Sequence, residues 1–598
     1  MRSVRWLLGL SLTFVVLLFL VGCKSLVNSL VGGQTLTISV SASKTTLQAG
    51  DSTGVSANVS HSGGNPAVTW SMSGSSCGNN CGSLSTVNGE TYTAPDFAPA
   101  TFMVTVTATA VADTSKTASV VLTVNHSLSV SCPSGHEAGL SGQYAFVLRG
   151  GGSSGGVVTA GSITADGQGN ITAGLEDINS NSAGPQTGLT IPSGQSLYTV
   201  GADDRGCLGL ANSQNTINLY RFGLATFSSG IAASGRIIEF DDTTGNGTRA
   251  EGFLASQDTT SFGTGSLQGN YVFVLGGGDG SGGRYGSVGV CAASAGLFSN
   301  CNMDSNDAGV LGTNVTGLTG SYSVSSTGRG TMNLSTSSGQ NFALYMVSGS
   351  RFVAMATDPL DPSHPLQSGQ FFLQASGGFT NASLDAPSVL ALTSFDKTSS
   401  APGATVGLLS PDANGNATQV LDTNVGGNFT AMQTSVITYT VSPNGRVALS
   451  GLTPAPVFYL FEPNNGFIVG TDAASTLGSL EPQTVGPFDN TTLSGTYTYG
   501  TEGTAVGSRR TDVGSLAFDG TQNVQGTEDD SSPGGLLANN PLSNAQYLFP
   551  SPSTAPSGRG TLDTSNNVNP SVAYIISPNK LIYINPPATS PRLVIVEK

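Results

Sequence analysis

From residue 36 onward, apolar side chains return at every second position in short runs. Leu36, Ile38 and Val40 alternate with polar residues, as do Val55, Ala57 and Val59, then Val68, Trp70 and Met72. Phe102, Val104 and Val106 follow, then Val120, Leu122 and Val124. A period of two marks a strand with one face toward a core and the other toward water. Turn residues stand between the runs, as in Ala49-Gly50-Asp51 and Gly63-Gly64-Asn65-Pro66. Residues 36–125 are therefore expected to form a β-sandwich.

Past a Pro- and Gly-containing linker at residues 126–138, the alternation continues in a longer unit that repeats. A strand around Tyr322 runs into the turn Gly328-Arg329-Gly330, and a new strand starts at Thr331. The same turn recurs at Arg205, Arg446 and Arg559, at intervals of about 120 residues, the mark of a duplicated structural unit. The openings recur too, with Tyr144 and Phe146, Tyr271 and Phe273, and Tyr497 and Tyr499 in matching places. The third opening is degenerate, near Ser388 to Leu392. The four units are expected at residues 139–265, 266–378, 379–492 and 493–598. The second reads as about eight antiparallel strands, which suits a small up-and-down barrel or a sandwich. A four-bladed propeller is disfavoured, because a blade needs only about 40–50 residues. The fold class is all-β.

Polar tips join the first hairpins of three units: Asp166 to Asn170, Asp412 to Asn416, and Asp519 to Asn523. In the second unit the segment from Cys291 to Cys301 takes this place and reads as a loop. The glycine runs at 150–152 and 276–278 read as hairpin ends, since no helix or Lys-Ser/Thr follows to make a phosphate loop.

Composition narrows the class. The 598-residue chain holds 81 glycines, only 10% charged residues and a formal charge of −15. Nucleic acid is excluded as a partner, because its phosphates demand a basic stripe. At the N-terminus, Arg2 and Arg5 precede the apolar stretch from Trp6 to Val21, and Leu20-Val21-Gly22-Cys23 follows at once. This resembles the signal and lipobox of bacterial lipoproteins. The resemblance implies removal of residues 1–22, acylation of Cys23, a tether at residues 23–35, and anchoring in the cell envelope, at the outer membrane, facing the periplasm or the surface. Several acyl chains hold a protein on a bilayer where one is marginal. The stretch from Val68 through Trp70 to Met72, with Tyr92 to Pro95 and Val104 to Asp113, resembles bacterial immunoglobulin-like domains, which implies a spacer or adhesive module for residues 36–125.

Six cysteines remain: Cys77, Cys81, Cys132, Cys207, Cys291 and Cys301. An even number in an exported chain suggests disulfides, with fifteen connectivities open for six cysteines. Proximity favours Cys77–Cys81 and Cys291–Cys301, leaving Cys132 with Cys207. Zinc is disfavoured, because no second Cys pair or His pair accompanies Cys77 and Cys81.

Catalytic candidates are thin. His61, His126, His136 and His364 sit beside no nucleophile motif, and no Gly-x-Ser-x-Gly elbow is present. Acidic doublets occur at Glu176-Asp177, Asp203-Asp204, Asp241-Asp242 and Glu528-Asp529. Glu176-Asp177 and Glu528-Asp529 fall at equivalent repeat positions, which fits a structural role. The Asp/Asn/Gly tips resemble pieces of calcium loops without a closing Glu, so tight turns are the better reading. Each marker arginine is expected to satisfy turn carbonyls or a neighbouring Asp. No catalytic, cofactor or metal residue is assigned. The expected function is non-catalytic: a lipid-anchored envelope protein for display, adhesion or binding to a surface polysaccharide or protein. The rivals are barrels that each hold a small molecule or sugar, and an extracytoplasmic hydrolase.

Overall fold

A computed structural model describes residues 35–598 except 62, 76, 78–79, 86–89, 244, 336–338, 503–509, 551–556, 565–569 and 587. Cys23 and the expected signal lie outside the described residues. No described helix is long and apolar enough to cross a membrane; the helices are single 3-10 turns. The chain divides into two compact units, one ending at Val130 and one spanning Ser131–Lys598.

In the first unit, strands Thr37–Ala42, Ser52–Ser60, Thr91–Thr93 and Ser83–Ser85 form one four-stranded sheet. Thr46–Leu47, Thr117–Val124, Phe102–Ala110 and Val68–Ser75 form the other. The alternating inward residues of both, among them Val55, Tyr92, Val104, Val106, Leu122 and Val124, meet in a single core. Trp70 packs half-buried against it, and the Cys77–Cys81 bridge joins the same cluster. The segment expected as a linker is divided between the units. Ser127–Leu128 pairs with Phe97–Ala98 in the first unit, and Cys132 is bonded to Cys207 in the second.

The second unit contains four closed antiparallel barrels of eight strands. The second barrel runs from Gly269–Gly278 to Leu366–Leu373, the third from Ser388–Asp396 to Leu477–Pro482, and the fourth from Ser494–Glu502 to Leu593–Glu597. In each, the last strand pairs with the first, which leaves no open sheet edge. The first barrel closes the same way, Ser141–Gly152 on Arg249–Ser256, with Gly184–Ile191 as an extra strand. That extra strand and Ser196–Val200 occupy the place of one long strand elsewhere, for example Val310–Val324.

The opening strands read as nearly continuous apolar runs because both faces are buried. In the second barrel Tyr271, Phe273 and Leu275 point inward, where they meet Phe342, Phe352 and Phe371. Each barrel interior is filled in this way by its own cluster of aromatic and aliphatic side chains. A 3-10 turn precedes the opening strand of each barrel: Glu137–Gly139, Thr264–Ser266, Asn381–Ser383 and Asn490–Thr492. A leucine follows each turn, and the Tyr198, Tyr322 and Tyr439 hydroxyls donate to the carbonyls of Leu140, Leu267 and Leu384 at 2.7, 2.8 and 3.0 Å. The third unit thus opens at Asn381–Ser383 and Leu384, earlier than its degenerate strand suggests.

One local expectation is corrected. Cys291 and Cys301 lie on paired strands, Arg284–Ser294 and Leu297–Asp307, and their disulfide crosses a tight hairpin rather than closing a loop. The glycine runs form the last residues of strands Ser141–Gly152 and Gly269–Gly278, at the ends where their hairpins turn back. There a Cβ on Gly150 or Gly277 would stand 2.0 or 1.6 Å from the carbonyl oxygens of Arg249 and Leu366, so close backbone approach demands glycine.

The outward faces of the barrel strands are apolar as well and pack barrel against barrel. Ala145 and Val158 of the first meet Tyr345 and Met355 of the second. Val272 and Val288 of the second meet Tyr459 and Phe467 of the third, and Val406 of the third meets Tyr574 and Ile582 of the fourth. Ile238 and Phe240 of the first meet Val513 of the fourth. The four barrels therefore close into a ring.

Candidate functional site

At every seam of the ring the marker arginine of one barrel grips an aspartate of the one before it. Arg329 donates from Nε and Nη2 to Asp177 at 2.8 and 2.6 Å. Arg446 does the same to Asp304 at 2.7 and 2.8 Å, and Arg559 to Asp422 at 2.9 and 2.7 Å. The fourth seam joins the ends of the series: Arg205 Nη1 donates to Asp529 at 2.7 Å, while its Nε is held by Asp203 at 2.7 Å. Parallel two-point contact is the strong geometry for guanidinium on carboxylate. All four aspartates are nearly inaccessible, and Tyr345, Tyr459 and Tyr574 add hydroxyl donors to three of them at 2.6, 2.9 and 2.8 Å. Burial next to these carboxylates pushes the three tyrosines up, while the carboxylates hold Arg329, Arg446 and Arg559 above their ordinary value.

A β-bulge aims each aspartate. Strand pairing skips a step at Asp177, Asp304, Asp422 and Asp529. On the facing strand Gly188, Asn314, Met432 and Asn539 adopt positive φ of 65°, 50°, 50° and 54°. Their N–H groups donate to the aspartates at 2.7, 2.9, 3.1 and 2.8 Å. Two residues beyond three of the aspartates, Asn179, Asn306 and Asn424 reach carbonyls of the next barrel at Ala356, Gly470 and Asn585. The sequence carries this as a recurring Asp-x-Asn, whose copies at Asp304 and Asp422 are hidden because neither stands in an acidic doublet. All four arginines pair with an Asp across the seam to another barrel, and Arg205 alone of the four also pairs with a neighbouring Asp, Asp203.

A cavity of about 470 Å³ lies where all four barrels meet. Nine residues after Leu140, Leu267, Leu384 and Leu493, equivalent strand positions hold Arg149, Gly276, Thr393 and Glu502, so the backbone repeats here and the side chains do not. Its walls are Phe253, Val274, Phe372, Phe461, Phe467, Leu477 and Ile595. Five cations, Arg149, Arg236, Arg284, Arg351 and Lys580, stand with four carboxylates, Glu462, Glu481, Glu502 and Glu597. Arg149 pairs with Glu502 at 2.7 Å, Arg236 with Glu597 at 2.6 Å, and Lys580 with Glu481 at 2.7 Å. Glu462 is at the exposed rim, where it accepts from Asn465 at 3.3 Å.

Arg284 and Arg351 have no carboxylate of their own here. Arg284, 1% exposed, donates from Nη1 to the Thr393 carbonyl and from Nη2 to the Thr393 hydroxyl at 2.9 Å, and its Nε meets no acceptor. Burial, with the Arg149 charge adding to it, lowers Arg284 to about 9. Arg351 lies between the Phe253 and Phe372 rings, 5.0 Å from each centroid, and donates from Nη2 to Gln370 at 2.6 Å. Its Nε also lacks an acceptor, and burial, with Arg236 adding, brings it to about 10.

The other candidates disperse. The turn aspartates are used up locally: Asp166 accepts from the Gln168 and Asn170 amides at 2.7 and 3.0 Å, and Asp412 and Asp519 repeat the arrangement. His126 hydrogen-bonds the Ala98 carbonyl at 2.8 Å, and His364 pairs with Asp361 at 2.9 Å. Asp242 is bound to Arg249 within its own barrel. Among the described residues no three His, Cys, Asp or Glu side chains are placed to hold a metal. No family model and no curated protein matches the chain.

Proposed function

We propose that this is a non-catalytic, lipid-anchored protein of the bacterial cell envelope, whose ring of barrels serves as a rigid body for display, adhesion or binding to a surface polysaccharide or protein. The observation that carries the reading is the filling of all four barrel interiors by their own side chains. A packed barrel is a structural unit and not a container, so recognition falls to outer surfaces. Four clasped seams keep those surfaces in fixed relative positions. The lipobox at Cys23 supports the anchor, and the immunoglobulin-like resemblance of residues 36–125 supports a spacer between anchor and ring. Expressed in a bacterium that processes lipoproteins, the wild-type chain should fractionate with membranes and the Cys23→Ser chain with the soluble fraction. A Cys23→Ser chain that stays membrane-bound would remove the anchor from the reading.

A further inference from the structure

We infer that the cavity at the centre of the ring is a binding site for one small organic anion, a carboxylate or sulfonate with an apolar body. Three acids pair directly with three bases in its wall, and Arg284, fully buried, and Arg351, half-buried, remain as cations with no carboxylate in contact. An uncompensated charge held away from water is unfavourable unless something of opposite sign reaches it. Arg284 also sits beside a second cation, Arg149, which an enclosed anion would relieve. That this happens within a chain of formal charge −15 makes the cationic surplus local and specific to the cavity.

The rest of the wall sets the body of the ligand. Phe253 and Phe372 flank Arg351, and Phe461, Phe467 and Leu477 continue the apolar surface. An inorganic anion would satisfy the arginines and leave this surface in water. A volume of about 470 Å³ falls in the range of sites for metabolite-sized molecules. Repetition supports a dedicated site as well. A ring of four copies needs only apolar contact at its centre, yet equivalent positions have diverged to Arg149, Gly276, Thr393 and Glu502.

The test uses the full chain and the fluorescent sulfonate 1-anilinonaphthalene-8-sulfonate. One saturable site per chain is expected, with octanoate competing and octanol failing to compete. Arg284→Gln and Arg351→Gln should each weaken binding by about tenfold or more, the scale of one lost charge-assisted contact. Circular dichroism of each variant verifies its fold. If a variant does not fold, competition on the wild type decides, and equal displacement by octanoate and octanol would make the site merely greasy. Unaltered affinity in both folded variants, or no saturable binding by the wild type, would overturn the assignment.

Discussion

On strand Asn170–Ser180 two adjacent carboxylates meet different surroundings. Asp177 accepts from Arg329, Tyr345 and the Gly188 amide, so its charge is fully matched. Glu176, 1% exposed, accepts only from Asn212 at 2.6 Å, and its second oxygen has no donor. Burial pushes Glu176 up to about 7, with the Asp177 charge adding and the Asn212 bond opposing. The folded protein therefore holds a proton on Glu176 that the unfolded chain has already released above the ordinary carboxylate range. Its contribution to stability is complete below that range and fades as pH rises toward 7, by at most about 3 kcal/mol. Urea denaturation at pH 5 and pH 8 should show a larger fall in midpoint for the wild type than for Glu176→Gln. Identical pH dependence in the two would refute the assignment.

At the scale of elements, the recurring device is a turn on one barrel locked to a bulge on its neighbour. Removing the guanidinium strands a fully buried aspartate, so Arg329→Ala should cost about 3 kcal/mol in denaturant unfolding, the usual penalty for breaking a buried pair. Arg329→Lys should recover only part of this, because an ammonium cannot make the two parallel bonds. A loss below about 0.5 kcal/mol, as for an exposed pair, would mean the clasp is ornamental. The strands themselves were legible from alternation, and the unit from the returning Gly-Arg turn. What alternation cannot convey is closure: barrel and sandwich share the same period, and pairing of Gly269–Gly278 with Leu366–Leu373 decides between them. The clasp was half legible. Arg329 stands out by repetition, but Asp304 looks like any polar strand residue until a bulge turns it outward. The chamber was not legible at all, since Arg284 and Arg351 are unremarkable until four chain segments surround them.

For the whole molecule, burial on both faces of the barrel strands sets the cooperative unit. Tyr345, Val353 and Met355 of the second barrel are covered by the first, and Val272, Val288 and Val290 by the third. Residues 266–378 expressed alone would expose both patches, far more contiguous apolar surface than a monomer tolerates. That fragment should self-associate in light scattering, whereas the full chain should not. A monomeric fragment with the stability of the parent would show that the barrels are independent. A repeat folded into a barrel hides its inner face but leaves its outer face for a neighbour.

The seam between Arg205 and Asp529, which lie 324 residues apart, gives the series a fixed size. An open array of repeats can gain or lose a member by duplication and still satisfy every remaining contact. In a closed circle each contact is between unlike surfaces, and the rotation at each one must sum to a full turn. A fifth copy would open the seam and leave a buried arginine and a buried aspartate facing water at two raw ends. Evolution of this gene is thus free to redecorate its four modules, as the central positions already illustrate, while their copy number is locked by geometry.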